Sequence, residues 1–373
     1  MKIGIDGRAA KWYRGTGIGT YTYQLINSLN KIDSNNDYLI FLPNGSSLSL
    51  SDKFTVETVQ ELSNKNFWDD VRSNNISTDH PMDLYHVPQN GVGLPENINC
   101  LKAITLHDII PLKMPETVSD RYLNIFNNEL PKIIENCDGI LTVSEFSKQD
   151  IAKEFNFPEE KIFVTELAAE DIYKPLDKSI CKKYISKKYG IKDDFILYVG
   201  GFSPRKNILG IIEAFSLLNK NTDKNLKLVI TGKKGISYEL YRDRTVQLGV
   251  TDKVIFTDFI PLEDLPTFYN ASKLLVYPSF YEGFGLPPLE AMACGTPVIS
   301  SNVTSLPEVC LDAAILINPH SIDELKISIE NVLTNDTLRL DMIKKGLLRS
   351  SLYTWESTAF HTIKAYETIS KLY

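Results

Sequence analysis

A chain of 373 residues with 43% hydrophobic and 23% charged side chains has an ordinary globular composition, and its length favours two domains with separate cores. A net charge of -7 opposes nonspecific nucleic-acid binding, so no nucleic-acid partner is expected. Five scattered cysteines without a close pair, no leader-like N-terminus and no run of about 20 apolar residues predict a cytoplasmic protein without a disulfide framework.

Strand and helix signals alternate along the chain, which predicts an α/β architecture with mostly parallel sheets. In the first half, Lys2 to Asp6, Tyr38 to Leu42, Leu84 to Val87, Lys102 to Leu106 and Gly139 to Val143 read as short buried strands. Helical patterns cover Thr20 to Asn30 and Phe146 to Phe155. The periodicity lapses around Glu170 to Lys178, which reads as a linker. It restarts with strand Phe195 to Val199, helix Ile208 to Leu218, strands Lys227 to Thr231 and Lys253 to Phe256, and helix Leu262 to Asn270. An apolar run ending at Tyr277 to Ser279, a helix from Leu289 to Cys294 and strands at Pro297 to Ser300 and Ala314 to Ile317 follow. Two Rossmann-like halves in series are the simplest account. The boundaries expected are 1–172 and 173–354, and the stretch 355–373 forms an amphipathic helix whose packing partner periodicity does not reveal.

Four stretches hold residues suited to chemistry. "EGFGLPPLEAMACGTPV", residues 282–298, places Glu282 on a glycine-rich loop and Glu290 in the expected first turn of a helix, where free N–H groups favour an anion. The bland reading is that Glu290 merely complements the helix dipole. "YVGGFSPRKNILGIIEAF", residues 198–215, sets Arg205 and Lys206 beyond a strand's carboxyl end. Both would neutralise a diphosphate there, unless they are only a solvated pair. "RGTGIGTYTYQL", residues 14–25, has Gly17 and Gly19 but lacks the third glycine of a dinucleotide fingerprint, so it predicts only a flexible loop. "AITLHDIIPL", residues 103–112, ends a buried strand with His107, which is either a ligand-facing or a satisfied core histidine. The histidines have no zinc-like spacing and no Asp-x-Asp occurs, so no metal site is expected.

Together these stretches resemble family 4 of the retaining glycosyltransferases, whose pattern Glu282-x7-Glu290, "GGFSPRKNILGIIEAF", the "GTGIG" loop, "LHDIIPL" and "VSEFSKQDI" follow in order over nearly the whole chain. "GIGTYTYQL" with "HDIIPLKMPE" is most similar to the branch that builds bacterial surface polysaccharides, often mannosyltransferases. The resemblance implies a GT-B fold: two facing Rossmann-like domains with parallel sheets and a ligand cleft between them, the last helix returning to the first domain. It implies a hexosyltransferase with no cofactor and no metal, whose donor substrate is a nucleotide diphosphate sugar, GDP-mannose before a UDP-sugar. The acceptor would be a glycan or lipid-linked glycan, with peripheral association at the inner face of the membrane, for which the cations and aromatics of Lys11 to Gly15 are suited. Site roles follow by motif. Glu290 would accept from the ribose hydroxyls, and Arg205 and Lys206 would hold the diphosphate. Glu282 and the backbone of Gly283, Phe284 and Gly285 would grip the transferred sugar. Gly17 and Gly19 would approach the phosphates, and His107 would reach the donor sugar. Same-face attack, with a phosphate oxygen taking the acceptor proton, is favoured over a covalent intermediate. The alternatives are a UDP-sugar-dependent transferase and a noncatalytic sugar-nucleotide-binding subunit.

Overall fold

The structure, a computed structural model, describes residues 1–45, 48–60, 67–73, 76, 80–218, 225–232, 235 and 237–372. The chain forms two units, Met1–Leu167 with Thr354–Tyr373 and Ala168–Tyr353. The first crossing thus falls at Leu167, within a few residues of the expected change at 172, and the return falls at Thr354.

The first unit is built on seven strands: β1 (Lys2–Asp6), β2 (Asp37–Pro43), β3 (Phe54–Val59), β4 (Leu84–Val87), β5 (Leu101–Thr105), β6 (Gly139–Thr142) and β7 (Ile162–Val164). Their order is β3-β2-β1-β4-β5-β6-β7, and every pairing is parallel. Helices cover both faces of such a sheet, so its central strands are continuous apolar runs; β4 and β6 are buried at every position. The expected strands match this interior. The two edge strands, β3 and β7, go beyond the sequence expectation: β3 exposes Thr55, Val56 and Thr58, and β7 is only Ile162–Val164. An edge strand buried on part of its surface leaves no continuous apolar run to read.

The second unit repeats the plan with β8 (Phe195–Val199), β9 (Lys227–Thr231), β10 (Val254–Asp258), β11 (Leu275–Tyr277), β12 (Val298–Ser301) and β13 (Ala314–Ile317), ordered β10-β9-β8-β11-β12-β13. These pairings are also parallel. In both sheets the order reverses beside the first strand, between β1 and β4 and between β8 and β11. Connections leave such a switch point toward opposite faces, which opens a crevice beyond the carboxyl ends of the two strands.

Two helices decide questions that periodicity leaves open. The helix expected from Thr20 begins at Gly17 and runs to Ile32, so Gly17 and Gly19 lie in its first turn rather than in a flexible loop. Thr16 caps it, Oγ1 accepting from the Gly19 N–H at 3.2 Å. Gly19 is required by packing, because a Cβ there would stand 2.0 Å from the Tyr13 carbonyl oxygen. The last helix, Trp355–Lys371, belongs to the first unit. Its Tyr366 hydroxyl bonds the buried His86 Nδ1 at 2.7 Å, and Ile369 covers Gly139 so closely that a Cβ would lie 2.5 Å away.

Candidate active site

The second unit's switch point gathers the charged motif residues. After β8 the chain turns at Gly200 (φ +154°), where room is tight: a Cβ on Gly232, at the end of β9, would sit 1.9 Å from the Gly200 oxygen. A 3-10 turn, Pro204–Lys206, then presents Arg205 and Lys206. Asn207, in the left-handed region, caps the helix Ile208–Ser216 by accepting from the Gly210 N–H at 3.2 Å, and its Nδ2 donates to the Pro319 carbonyl at 2.7 Å. The carboxyl end of the turn is thereby anchored.

The loop after β11 is locked to this turn. The Phe280 N–H donates to the Arg205 carbonyl at 2.9 Å, and the Glu282 N–H to Thr304 Oγ1 at 3.1 Å. Ser305 Oγ lies 2.9 and 2.8 Å from the carbonyls of Glu282 and Phe284. Gly285 stands at φ +121° at the head of the helix Leu286–Ala293, with Leu306 2.7 Å from where a Cβ would be, so a side chain there would be strained and would have to displace Leu306. The Phe284 ring is buried edge-on against Tyr353 at 5.8 Å, which leaves only its backbone to face a ligand.

Arg205, Lys206 and Glu282 form one ion-paired cluster. Arg205 Nη1 lies 2.9 Å from Glu282 Oε2 and Lys206 Nζ 2.6 Å from Glu282 Oε1. Lys206 also donates to the Tyr277 hydroxyl and stands 4.8 Å above that ring's centre. Burial would lift the Glu282 carboxyl, but the Arg205 and Lys206 charges hold it at about 2. Sequence reading assigns these three residues separate targets and gives no sign of their mutual contact. Of the partners that orient them, Thr304 and Ser305 lie outside the motif stretches, whereas Tyr277 closes the apolar run that leads into the Glu282 loop.

Glu290 corrects an expectation. The helix begins at Leu286, not Leu289, which moves Glu290 beyond the first turn and away from the dipole's positive end. Its Oε2 accepts from the Tyr269 hydroxyl at 2.7 Å. Burial lifts the carboxyl to about 7; the Tyr269 and Tyr173 hydroxyls oppose the shift and the Glu170 carboxylate reinforces it. A folded carboxyl above its ordinary 4.5 binds a proton that the unfolded chain releases, so Glu290 makes stability fall as pH rises from about 4.5 to about 7. Urea titrations across that window should show this slope, and Glu290→Gln should flatten it; an unchanged slope would remove Glu290 as its source.

In the first unit, His107 follows β5 at the sheet's carboxyl edge. Its Nε2 lies 3.0 Å from the Pro88 carbonyl, which only accepts, so Nε2 carries the proton and Nδ1 is left as an acceptor. Burial lowers its pKa to about 4, against the Pro88 bond, so the ring is neutral at pH 7. Tyr21 braces it edge-on at 4.9 Å. Gly17 heads its helix with open space around it, nothing lying within 4 Å of where a Cβ would stand, whereas the Gly19 N–H serves the Thr16 cap. The stretch Lys11 to Gly15 folds on its own unit: Tyr13 stacks on Phe67 at 4.4 Å, Lys11 donates to the Asn44 carbonyl, and Arg14 lies 4.5 Å over Tyr23. Sequence reading also misses that Arg8 is fully buried, forking onto Asp6 at 2.8 and 2.6 Å.

Two parallel-sheet Rossmann-like units, each with its site residues beyond the carboxyl ends of the strands, give the chain the GT-B fold of nucleotide-sugar transferases. Sucrose-phosphate synthase from Thermosynechococcus elongatus superimposes with a TM-score of 0.76 at 18% identity, covering 100% of both chains. The profile of the family described as glycosyl transferases group 1 matches residues 182–349. The O-antigen chain mannosyltransferase B of Escherichia coli is 36% identical over 288 residues, which are 77% of this chain and 74% of that protein. The serotype-specific mannosyltransferase WbdA of Escherichia coli is 30% identical over 75% of this chain, which spans 35% of WbdA's length. The chain belongs to the group 1 glycosyl transferases.

Proposed function

We propose that this chain transfers mannose from GDP-mannose to a glycan or lipid-linked acceptor in surface-polysaccharide synthesis, with retention and without a metal ion or other cofactor. The mannosyltransferase relatives support the sugar. The observation that carries the chemistry is the Arg205–Lys206–Glu282 cluster at the β8/β11 switch point. The bound diphosphate takes over as the counterion of Arg205 and Lys206, and the two cations then stabilise the charge that grows as GDP departs. Glu282, which the two cations keep ionised in the ligand-free site, accepts from hydroxyls of the sugar. The leaving diphosphate needs little protonation, so no acid partner is required, which favours same-face attack. The acceptor oxygen bonds C1, the C1–O bond breaks with its electrons moving to the diphosphate, and a phosphate oxygen takes the acceptor's proton. Glu290 accepts from the ribose diol. In the first unit, the neutral His107 ring leaves Nδ1 able to accept from a hydroxyl, and Gly17 stands at the head of its helix. No helix among the described residues is long and apolar enough to cross a membrane.

Calorimetry with GDP and UDP tests the donor: GDP should bind more tightly, and GDP-mannose should be hydrolysed slowly without acceptor. A clear preference for UDP replaces this reading with that of a UDP-sugar transferase. Tight binding with neither hydrolysis nor transfer points instead to a noncatalytic subunit. Excess EDTA should leave transfer unchanged, because Arg205 and Lys206 take the place of a cation on the diphosphate. Loss of transfer on chelation, restored by manganese, would overturn that role.

A further inference from the structure

The connection from β4 to β5, residues 88–100, carries no helix. It turns at Gly91 and Gly93, both at positive φ, and presses against the helix Leu130–Asn136; a Cβ on Gly91 would lie 2.6 Å from Ile133 Cγ2. Where a covering helix would otherwise pack, a cavity of about 690 Å³ remains, wholly within the first unit. Its volume lies in the range of roughly 300–1,000 Å³ typical of small-molecule sites. Its Asn97 end approaches the amino terminus of β5, whereas His107 stands beyond that strand's carboxyl terminus. None of the residues assigned to the donor lines the cavity.

The lining selects a chemistry. Cations Arg72 and Lys132 are balanced by carboxylates Glu96 and Glu129, and Arg72 is committed to Glu129 at 2.7 Å. Such a balanced wall offers no net attraction for a phosphate or a nucleotide. Asn97 and Asn128 each add a carboxamide, a donor and an acceptor together, and Ile133 supplies an apolar surface between the polar groups. Paired donors and acceptors over an apolar floor match the hydroxyls and C–H faces of a neutral sugar. We propose that this cavity binds a neutral oligosaccharide, the part of the glycan acceptor away from its reacting end. The site rests on the transferase reading above and extends it: the enzyme holds the growing glycan at a second place, on the first unit.

The test uses the whole chain and α-mannotriose, with binding read by saturation-transfer NMR. Wild type should bind it. The double variant N97A/K132A removes two hydrogen-bonding groups and should weaken binding about tenfold or more. Asn128→Trp, at an exposed position, should fill the mouth and have a similar effect. In both variants KM for a long glycan acceptor should rise while GDP-mannose hydrolysis stays at the wild-type rate. Equal mannotriose binding by wild type and both variants, or none by wild type, overturns the proposal. If mannotriose binding is lost in the variants but wild type does not hydrolyse GDP-mannose, the glycan site stands and the donor assignment fails.

Discussion

Arg205→Ala and Lys206→Ala will each lower turnover by about 10²–10³-fold, the usual cost of removing one group aimed at charge that develops in a transition state. KM for the donor should change much less. In the resting site both cations are already engaged with Glu282, at 2.9 and 2.6 Å, so the diphosphate displaces an existing partner rather than meeting bare charges. Ground-state binding is thereby moderated, and the cations act most strongly when the leaving group carries full charge. Each single variant leaves Glu282 one cation and should fold. The double variant leaves a buried carboxylate without a counterion and should be destabilised by roughly 3–5 kcal/mol. Steady-state kinetics beside a melting curve separate the two effects. A rise in KM with kcat unchanged would reduce both residues to uniform binding and remove the main electrostatic contribution from the mechanism.

The two glutamates should divide their duties sharply. Above the value of about 7 to which burial lifts its carboxyl, Glu290 is ionised, and there Glu290→Ala loses charge-assisted bonds to the ribose diol worth roughly 1.5–3 kcal/mol, so GDP without any sugar should bind about 10- to 150-fold more weakly. Glu282→Ala should bind bare GDP at least as tightly as wild type, because removing that carboxylate releases Arg205 and Lys206 to the diphosphate. The same variant should lose most turnover and its discrimination between GDP-sugars, since that carboxylate no longer accepts from the sugar hydroxyls. Calorimetry with GDP and GDP-mannose on both variants reads this directly. Equal weakening of bare GDP in the two would refute the division, and early melting with poor binding of every ligand would assign both to structure alone.

Much of this protein is legible in its sequence because the signals are local. Central strands of a parallel sheet are apolar on both faces, so β1, β4, β6 and β8 announce themselves, and their alternation with helices implies two Rossmann-like halves. The motif residues are legible too, since a glycine-rich turn between a strand and a helix has few uses. Three things were decided only by the tertiary structure. The edge strands β3 and β7 exist because neighbours pair with them, not because their own sequences demand it. Helix starts depend on capping and close approach: Thr16 and the Tyr13 carbonyl set the start at Gly17, and Gly285 sets it at Leu286, which puts Glu290 beside Tyr269 instead of at a helix end. The electrostatics of the site come from residues some 76 positions apart, Lys206 and Glu282, brought together because β8 and β11 are neighbours at the point where the strand order reverses. A carboxyl near 2 and another near 7 on one short stretch of chain follow from what surrounds each, two cations in one case and burial beside tyrosines and a second carboxylate in the other. Sequence names the residue types, but burial and partners set their charge, and those depend on the folded chain.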